Sequence, residues 1–427
     1  MLKRLSLNSE FARNSAALIL GTIVAQSIPI LLQPVLRRIY TPEDFGAMAV
    51  YLTLLSMLTI AFSLRYEAAI VLPRNDRAAA NLLSLTFLVN LVFSLVLLLC
   101  IILFREDIAH LIGLPEKYSA SLFFLPAASL AFSMYQSINY WLIRQKAFKL
   151  SASNKVIRRS AEGLVQAGSG FMKIPGGLFI GDLAGNVLNV LSGIRQVFRT
   201  GFKLGFVSGR KMRYVSRKYA DFPKYNLLPT LMSNAATVLP FLLINKFYST
   251  ETVGYVDLSR LVLSIPLIFI SATVSQVFFQ QTVEKIHRSQ SVKSDMTGVL
   301  YIVLAIVLAE MLLIFLFGPE LFAFVFGSNY GVSGIFSQIL VFSFALNFIG
   351  STFSFIFIAF GKIRMNSIWQ VVYFLAICSL FFIKGLVIED FLKIYVLIEV
   401  IMHLAYCCLA WMIIQGYERK INTGPAD

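Results

Sequence analysis

Acidic residues are scarce in this chain: 22 Asp and Glu stand against 37 Lys and Arg, for a net charge of +15. That deficit argues against a site built for cationic ligands. Cysteine is equally rare. Cys100, Cys378, Cys407 and Cys408 all lie in apolar runs, where the residue acts as a small hydrophobe, so neither a disulfide framework nor a thiolate metal site is expected. The histidines, His110, His287 and His403, show no metal-ligand spacing, and no metal or cofactor is expected. Long polar stretches are missing too. No outer loop in the topology below exceeds roughly 16 residues, which leaves little room for an extramembrane catalytic domain or an Asp-rich nucleotide loop.

What is present is hydrocarbon. An apolar share of 58% and a mean hydropathy of +0.76 exceed the roughly 45–50% of soluble domains, so the chain is read as an integral membrane protein. Lys3, Arg4 and Arg13 precede an apolar run without a small-residue cleavage site, and the run is taken as a retained first span. A crossing helix needs roughly 20 mainly apolar residues. Such stretches fall at 14–36, 44–64, 78–104, 119–143, 151–172 and 175–197, then at 222–245, 253–280, 295–317, 334–360, 365–388 and 391–415. With both termini cytoplasmic, most Lys and Arg fall on the inner side, the longest basic stretch running from Arg195 to Lys224. The positive charge is therefore assigned to anionic lipid headgroups or an anionic substrate rather than to nucleic acid.

The two sets of six spans are a duplication. Arg38-Ile39-Tyr40-Thr41-Pro42-Glu43-Asp44-Phe45-Gly46 returns, degraded, as Lys246-Phe247-Tyr248-Ser249-Thr250-Glu251-Thr252-Val253-Gly254, with Tyr, Glu and Gly in register. Each copy follows a proline-broken apolar segment and precedes another. An even number of spans per half makes the repeat parallel, and in transporters such halves meet at a substrate pathway. The expected fold is all-α, about twelve transmembrane helices in two six-helix bundles, with a bundle at 1–197, a basic cytoplasmic linker at 198–221 and a second bundle at 222–427.

Four motifs carry a resemblance to a known family: the segment from Arg38 to Gly46, Arg65-Tyr66-Glu67-Ala68-Ala69-Ile70-Val71-Leu72-Pro73 closing the second span, Asp221-Phe222-Pro223-Lys224-Tyr225 opening the seventh, and Gly254-Tyr255 with Ser259-Arg260 in the eighth. In that order, over nearly the whole chain, they resemble the polysaccharide (O-antigen repeat unit) flippase family of the multidrug/oligosaccharidyl-lipid/polysaccharide exporter superfamily. The resemblance implies two bundles around a cavity that opens alternately to each side. It also implies an undecaprenyl-pyrophosphate-linked oligosaccharide as cargo, moved across the inner membrane of a bacterium for lipopolysaccharide, capsule or exopolysaccharide assembly. A polysaccharide polymerase and glycosyltransferases would be its partners.

Candidate site residues are the charges that hydrocarbon does not tolerate. Lys155, Arg158, Arg159 and Glu162 form one stripe at the start of the fifth span: either they gather the pyrophosphate or they snorkel to headgroups. Arg260 lies inside the eighth span with Asp257 three residues before it, where the first half of the repeat has Leu52. Arg65 ends the second span beside Glu67, as a substrate contact or as half of an interfacial ion pair. Glu399 and His403, four residues apart, together with Glu310 and Asp182, are candidates for coupling transport to protons or Na⁺, with buried structural pairing as the competing account. Of the 17 Tyr, interface anchoring explains most without a sugar route. Alternatives are a lipid II flippase, which often has additional spans, and a multidrug cation antiporter, whose cavity favours acids. An enzyme ranks last.

Overall fold

The computed structural model describes residues 10–422, and gives the backbone alone for 10–19, 268, 271–277, 280, 287 and 422. Lys3, Arg4 and both termini lie outside the described residues, and Arg13 and His287 outside the described side chains.

The duplicated motif is a device for starting a helix. Glu10–Ile39 (α1) stops at Tyr40, and Pro42–Phe62 (α2) starts two residues later. Thr41 Oγ1 accepts the Asp44 backbone N–H at 3.2 Å, and the Asp44 carboxylate accepts the Thr41 N–H at 2.9 Å. This reciprocal pair satisfies two donors that the first turn leaves orphaned, while Pro42 presets φ. The neighbours lock the corner: Tyr40 OH donates to the Gln166 carbonyl at 2.8 Å, Tyr118 OH donates to Asp44 at 2.8 Å, and the Arg37 guanidinium sits 3.6 Å from the Phe45 ring centre. In the second copy Ser249 takes the place of Thr41, its Oγ accepting the Thr252 N–H at 3.0 Å. Thr41→Ala is therefore expected to lower stability by about 1 kcal/mol, read as a fall in melting temperature of the purified protein.

The chain continues through Asp76–Ile112 (α3), Phe124–Arg144 (α4), Phe148–Phe171 (α5), Gly177–Arg199 (α6), the short Gly209–Lys218 (α7) and Leu227–Phe247 (α8). There follow Thr250–Leu263 (α9), Ala272–His287 (α10), Lys293–Phe326 (α11), Gly331–Thr352 (α12), Ile363–Cys378 (α13) and Ile388–Asn422 (α14). Among the described residues ten helices are long and apolar enough to cross a membrane. The two expected spans that fall short have legible reasons. Five charges, Lys149, Lys155, Arg158, Arg159 and Glu162, interrupt α5 between its start and its last turns. The eighth span is broken between α9 and α10 by Pro266 and a π turn at Leu267–Ser271. Counting both gives the expected twelve. The protein is an all-α, multi-pass membrane protein with no strand among the described residues. Its most apolar helices, α3 and α11, are only 17% and 22% buried over their most apolar stretch, the pattern of side chains that face lipid rather than a core.

The expected third span, ending at 104, continues as helix to Ile112, with a non-helical step at Phe104 (φ −128°, ψ 24°). Two compact units divide at Val253/Gly254. The basic linker and α8, which the repeat assigns outside the first bundle, thus pack with the first unit. The reasons are polar contacts inside it: Ser56 Oγ donates to Asn234 at 3.1 Å, Asn245 to the Ile112 carbonyl at 2.6 Å, and Tyr66 OH to the Ser216 carbonyl at 3.0 Å. In the second unit the end of α14 caps the start of α11, where Glu418 Oε1 accepts the N–H groups of Val292 (2.8 Å) and Lys293 (3.0 Å) and the Ser291 hydroxyl (3.0 Å).

Candidate functional site

The polar cluster of the first unit is assembled by glycine. Gly177, Gly181 and Gly185 recur every fourth residue on the face of α6 that meets α5. A methyl on Gly181 would lie 2.9 Å from the Glu162 carbonyl oxygen, and one on Gly185 2.8 Å from that of Arg158. With backbones this close, small-residue packing holds the pair without needing an apolar seam. The residue after Gly181 is Asp182, and the residue after Gly185 is Asn186, so the close approach carries both onto the charged stripe of α5.

Asp182 is fully buried and is approached from three sides. Arg158 Nη2 stands 3.5 Å from one carboxylate oxygen, while Tyr51 OH (3.3 Å) and Asn186 Nδ2 (3.0 Å) donate to the other. A separation of 3.5 Å is an ion pair, not a hydrogen bond, and the Arg158 Nε has no partner among the described residues. The same guanidinium covers the Phe132 ring at 4.5 Å. Arg159 pairs with Glu162 at 2.8 Å, and Lys155 donates to Thr22 at 2.9 Å. Lys155, Arg158 and Arg159 line a cavity of about 170 Å³ with Thr22, Gln26 and Tyr135. Arg158 leaves only 13% of its side chain exposed, so it is turned into the bundle rather than reaching out to headgroups. Beside it the buried Tyr135 hydroxyl has the Asn189 side chain as its polar neighbour, so uncharged polar groups also lie against the Arg158 guanidinium.

The other candidates lie apart from this cluster. In the second unit Glu399 and His403 are buried together. His403 Nδ1 lies 2.8 Å from the Glu399 carbonyl oxygen and 3.4 Å from its carboxylate, which also accepts the Tyr373 hydroxyl at 2.6 Å. Trp369 stacks on Tyr373, ring centres 5.1 Å apart and planes 5° from parallel. The charge of Arg260 acts on Glu399, Tyr373 and Tyr395, which joins three sequence candidates, Arg260, Glu399 and His403, in one neighbourhood. Arg65, at φ +63°, pairs with Glu67 at 2.9 Å and donates through Nε to Asn226 at 3.3 Å. Glu310 joins neither cluster. It is half-buried on α11 between the exposed Leu308 and Leu312 and has no ion-pair partner among the described residues. Sequence reasoning missed Tyr51, Tyr135, Tyr373 and Tyr395. Only Tyr395 left a signal, since Tyr395, Glu399 and His403 form a stripe at four-residue steps.

A two-unit, all-α membrane protein with charged clusters buried inside its units has the build of a carrier, and its fold is found among carriers. A multidrug resistance MATE family transporter of the MOP superfamily, in an inward-facing conformation, superposes with a TM-score of 0.71 at 13% identity, covering 93% of this chain and 99% of its own. The lipid II flippase MurJ, in an inward closed conformation, superposes with a TM-score of 0.69 at 15% identity, covering 96% and 91%. In sequence, residues 35–335 match the model of the family described as polysaccharide biosynthesis protein, and the chain belongs to that family. It is also 25% identical over 304 residues to the succinoglycan biosynthesis transport protein ExoT of Rhizobium meliloti (strain 1021). That match takes in 67% of this chain and 58% of the relative, so the chain spans under two thirds of the length of the curated relative it matches.

Proposed function

We propose that this protein is a flippase that carries a lipid-linked oligosaccharide, an undecaprenyl-pyrophosphate-bound repeat unit of a surface polysaccharide, across the bacterial inner membrane by alternating access, with both termini cytoplasmic. In a chain of a polysaccharide biosynthesis family, the observation that carries this reading is the cavity walled by Lys155, Arg158 and Arg159 inside a membrane-spanning unit. A guanidinium turned into the unit, as that of Arg158 is, is costly in such a place, and its loose 3.5 Å contact with Asp182 leaves it able to meet a second anion. The cargo supplies one. Its apolar tail stays in the bilayer, its sugar needs a wet passage, and its pyrophosphate offers pairs of oxygens that the planar arginine fork matches better than a point charge does. Nothing in the task requires covalent chemistry, and the protein is read as a carrier rather than an enzyme.

Arg158 and Arg159 are assigned to the pyrophosphate, with Arg260 and Arg65 as further contacts in the cycle. Asp182 and the Glu399–His403 pair are assigned to ion coupling, because each is a buried carboxylate beside a basic side chain, Arg158 or His403, so that an arriving anion or proton changes the balance of charge there. Glu310 remains a weaker coupling candidate. In a clean deletion strain that lacks a redundant flippase, one surface polysaccharide should vanish while its lipid-linked repeat units accumulate on the inner leaflet. Normal surface glycan in that strain would refute the assignment.

A further inference from the structure

The second unit holds a cavity of about 520 Å³ between α11, α12 and α14. It adjoins the Glu399–His403 cluster through Tyr406, whose ring centre lies 4.5 Å from that of Trp369, but has none of that cluster's charged residues in its wall. Leu300, Ile349, Phe353, Cys408, Trp411 and Met412 are among its walls. Its one phenol, Tyr406, is already committed, donating to Asn366 Oδ1 at 3.2 Å. A wall this apolar stays dry. At the mouth Leu404 and Met412 are 46% and 56% exposed, on a helix long and apolar enough to cross the membrane, so what lies outside is hydrocarbon. At roughly 30 Å³ per water-sized group the space takes on the order of 17 methylenes, one long acyl chain.

The end of the cavity is basic. Lys293 precedes the lining residue Met296 by one turn of α11, and Lys362 and Arg364 lead into α13 just before Asn366, the partner of Tyr406. All three cations are exposed. Of the acids nearby, Asp295 is paired with Lys285, and Glu418 turns one oxygen to the N–H groups at the start of α11, which leaves the three cations in excess at this end. We propose that this cavity is a binding site for an anionic glycerophospholipid, with one acyl chain inside the unit and the phosphate on Lys293, Lys362 and Arg364. A polyprenyl chain, several times longer than the space, would overfill it. A zwitterionic phospholipid would fit the cavity but gain little from the rim, where each cation near an anionic headgroup is worth roughly fivefold in affinity.

Trp411 reports on the site directly. The full chain would be placed in phosphatidylcholine vesicles containing increasing amounts of phosphatidylglycerol or phosphatidylcholine with brominated acyl chains, and tryptophan emission recorded for the wild type and for Trp411→Phe. The difference between the two isolates Trp411. Brominated phosphatidylglycerol is expected to quench it at about a tenfold lower mole fraction than brominated phosphatidylcholine. The variant Lys293→Gln/Lys362→Gln/Arg364→Gln, altered only at exposed positions, should lose that preference. Equal quenching by the two lipids in the wild type would overturn the proposal, as would a preference that survives the triple substitution. Displacement of brominated phosphatidylglycerol by near-stoichiometric polyprenyl phosphate would overturn it in favour of the cargo tail.

Discussion

Arg158→Ala is expected to reduce surface polysaccharide at least about tenfold in a deletion strain, with Arg158→Lys recovering only part, since an ammonium cannot reproduce the fork. Two effects are mixed in the single variant. It removes a cavity cation, and it leaves Asp182 buried with only Tyr51 and Asn186 as donors. Breaking a buried pair from one side costs roughly 3–5 kcal/mol, enough to lower the amount of folded protein. The variant Arg158→Ala/Asp182→Asn removes both charges and keeps a polar side chain of the same shape opposite Tyr51. Because Asp182 is also assigned to ion coupling, export by the double variant is compared with that of Asp182→Asn alone, which should retain more of it. Membrane levels should return to normal in the double variant while export stays lost. If export returns with the protein level, Arg158 serves only to neutralise Asp182, and the cargo assignment of the cavity fails.

The neighbourhood of two helix starts was legible through the repeated motif, which put spans at 44 and 253 against observed starts at Pro42 and Thr250, because a cap depends on residues within one turn of each other. Thr41 and Asp44 cap α2 by themselves, and the recurrence of that spacing at Ser249 and Thr252 is visible as text before it is visible as two hydrogen bonds. The charged stripe of α5 was legible for a similar reason, since Lys155, Arg158, Arg159 and Glu162 share one helical face. What faces that stripe was not. Tyr51 and Tyr135 come from other helices, and nothing near them in sequence marks them as partners of Asp182 or neighbours of Asn189. The same limit applies to the unit boundary. The repeat assigns α8 to the second half, but the contacts that hold it to the first, Ser56 with Asn234 and Ile112 with Asn245, join residues more than a hundred positions apart. Pro266 interrupts the eighth span, yet the apolar run on both sides of it reads as one span over 253–280.

Gly185→Ala should be among the most destabilising single-methyl changes in the first unit, although alanine is the better helix former. In an open helical position the change gains roughly 0.5–1 kcal/mol by reducing the freedom of the unfolded chain. Gly168, on the exposed side of α5 with nothing within 4 Å of an added methyl, provides that case. At Gly185 the methyl would lie 2.8 Å from the Arg158 carbonyl oxygen and 2.9 Å from the Glu162 Cβ, and neither is the free end of a flexible side chain. Both helices would have to separate, at roughly 1–3 kcal/mol for the overpacking alone. Separation would also lengthen the 3.5 Å contact between Arg158 and Asp182. Thermal unfolding of the purified protein in detergent should therefore show opposite signs, with Gly168→Ala unchanged or raised in melting temperature and Gly185→Ala clearly lowered. Gly185→Val should fail to accumulate in the membrane. Equal melting temperatures for the two alanine variants would mean that α5 and α6 are not held backbone to backbone, and that the buried cluster is positioned by something other than the glycine face of α6.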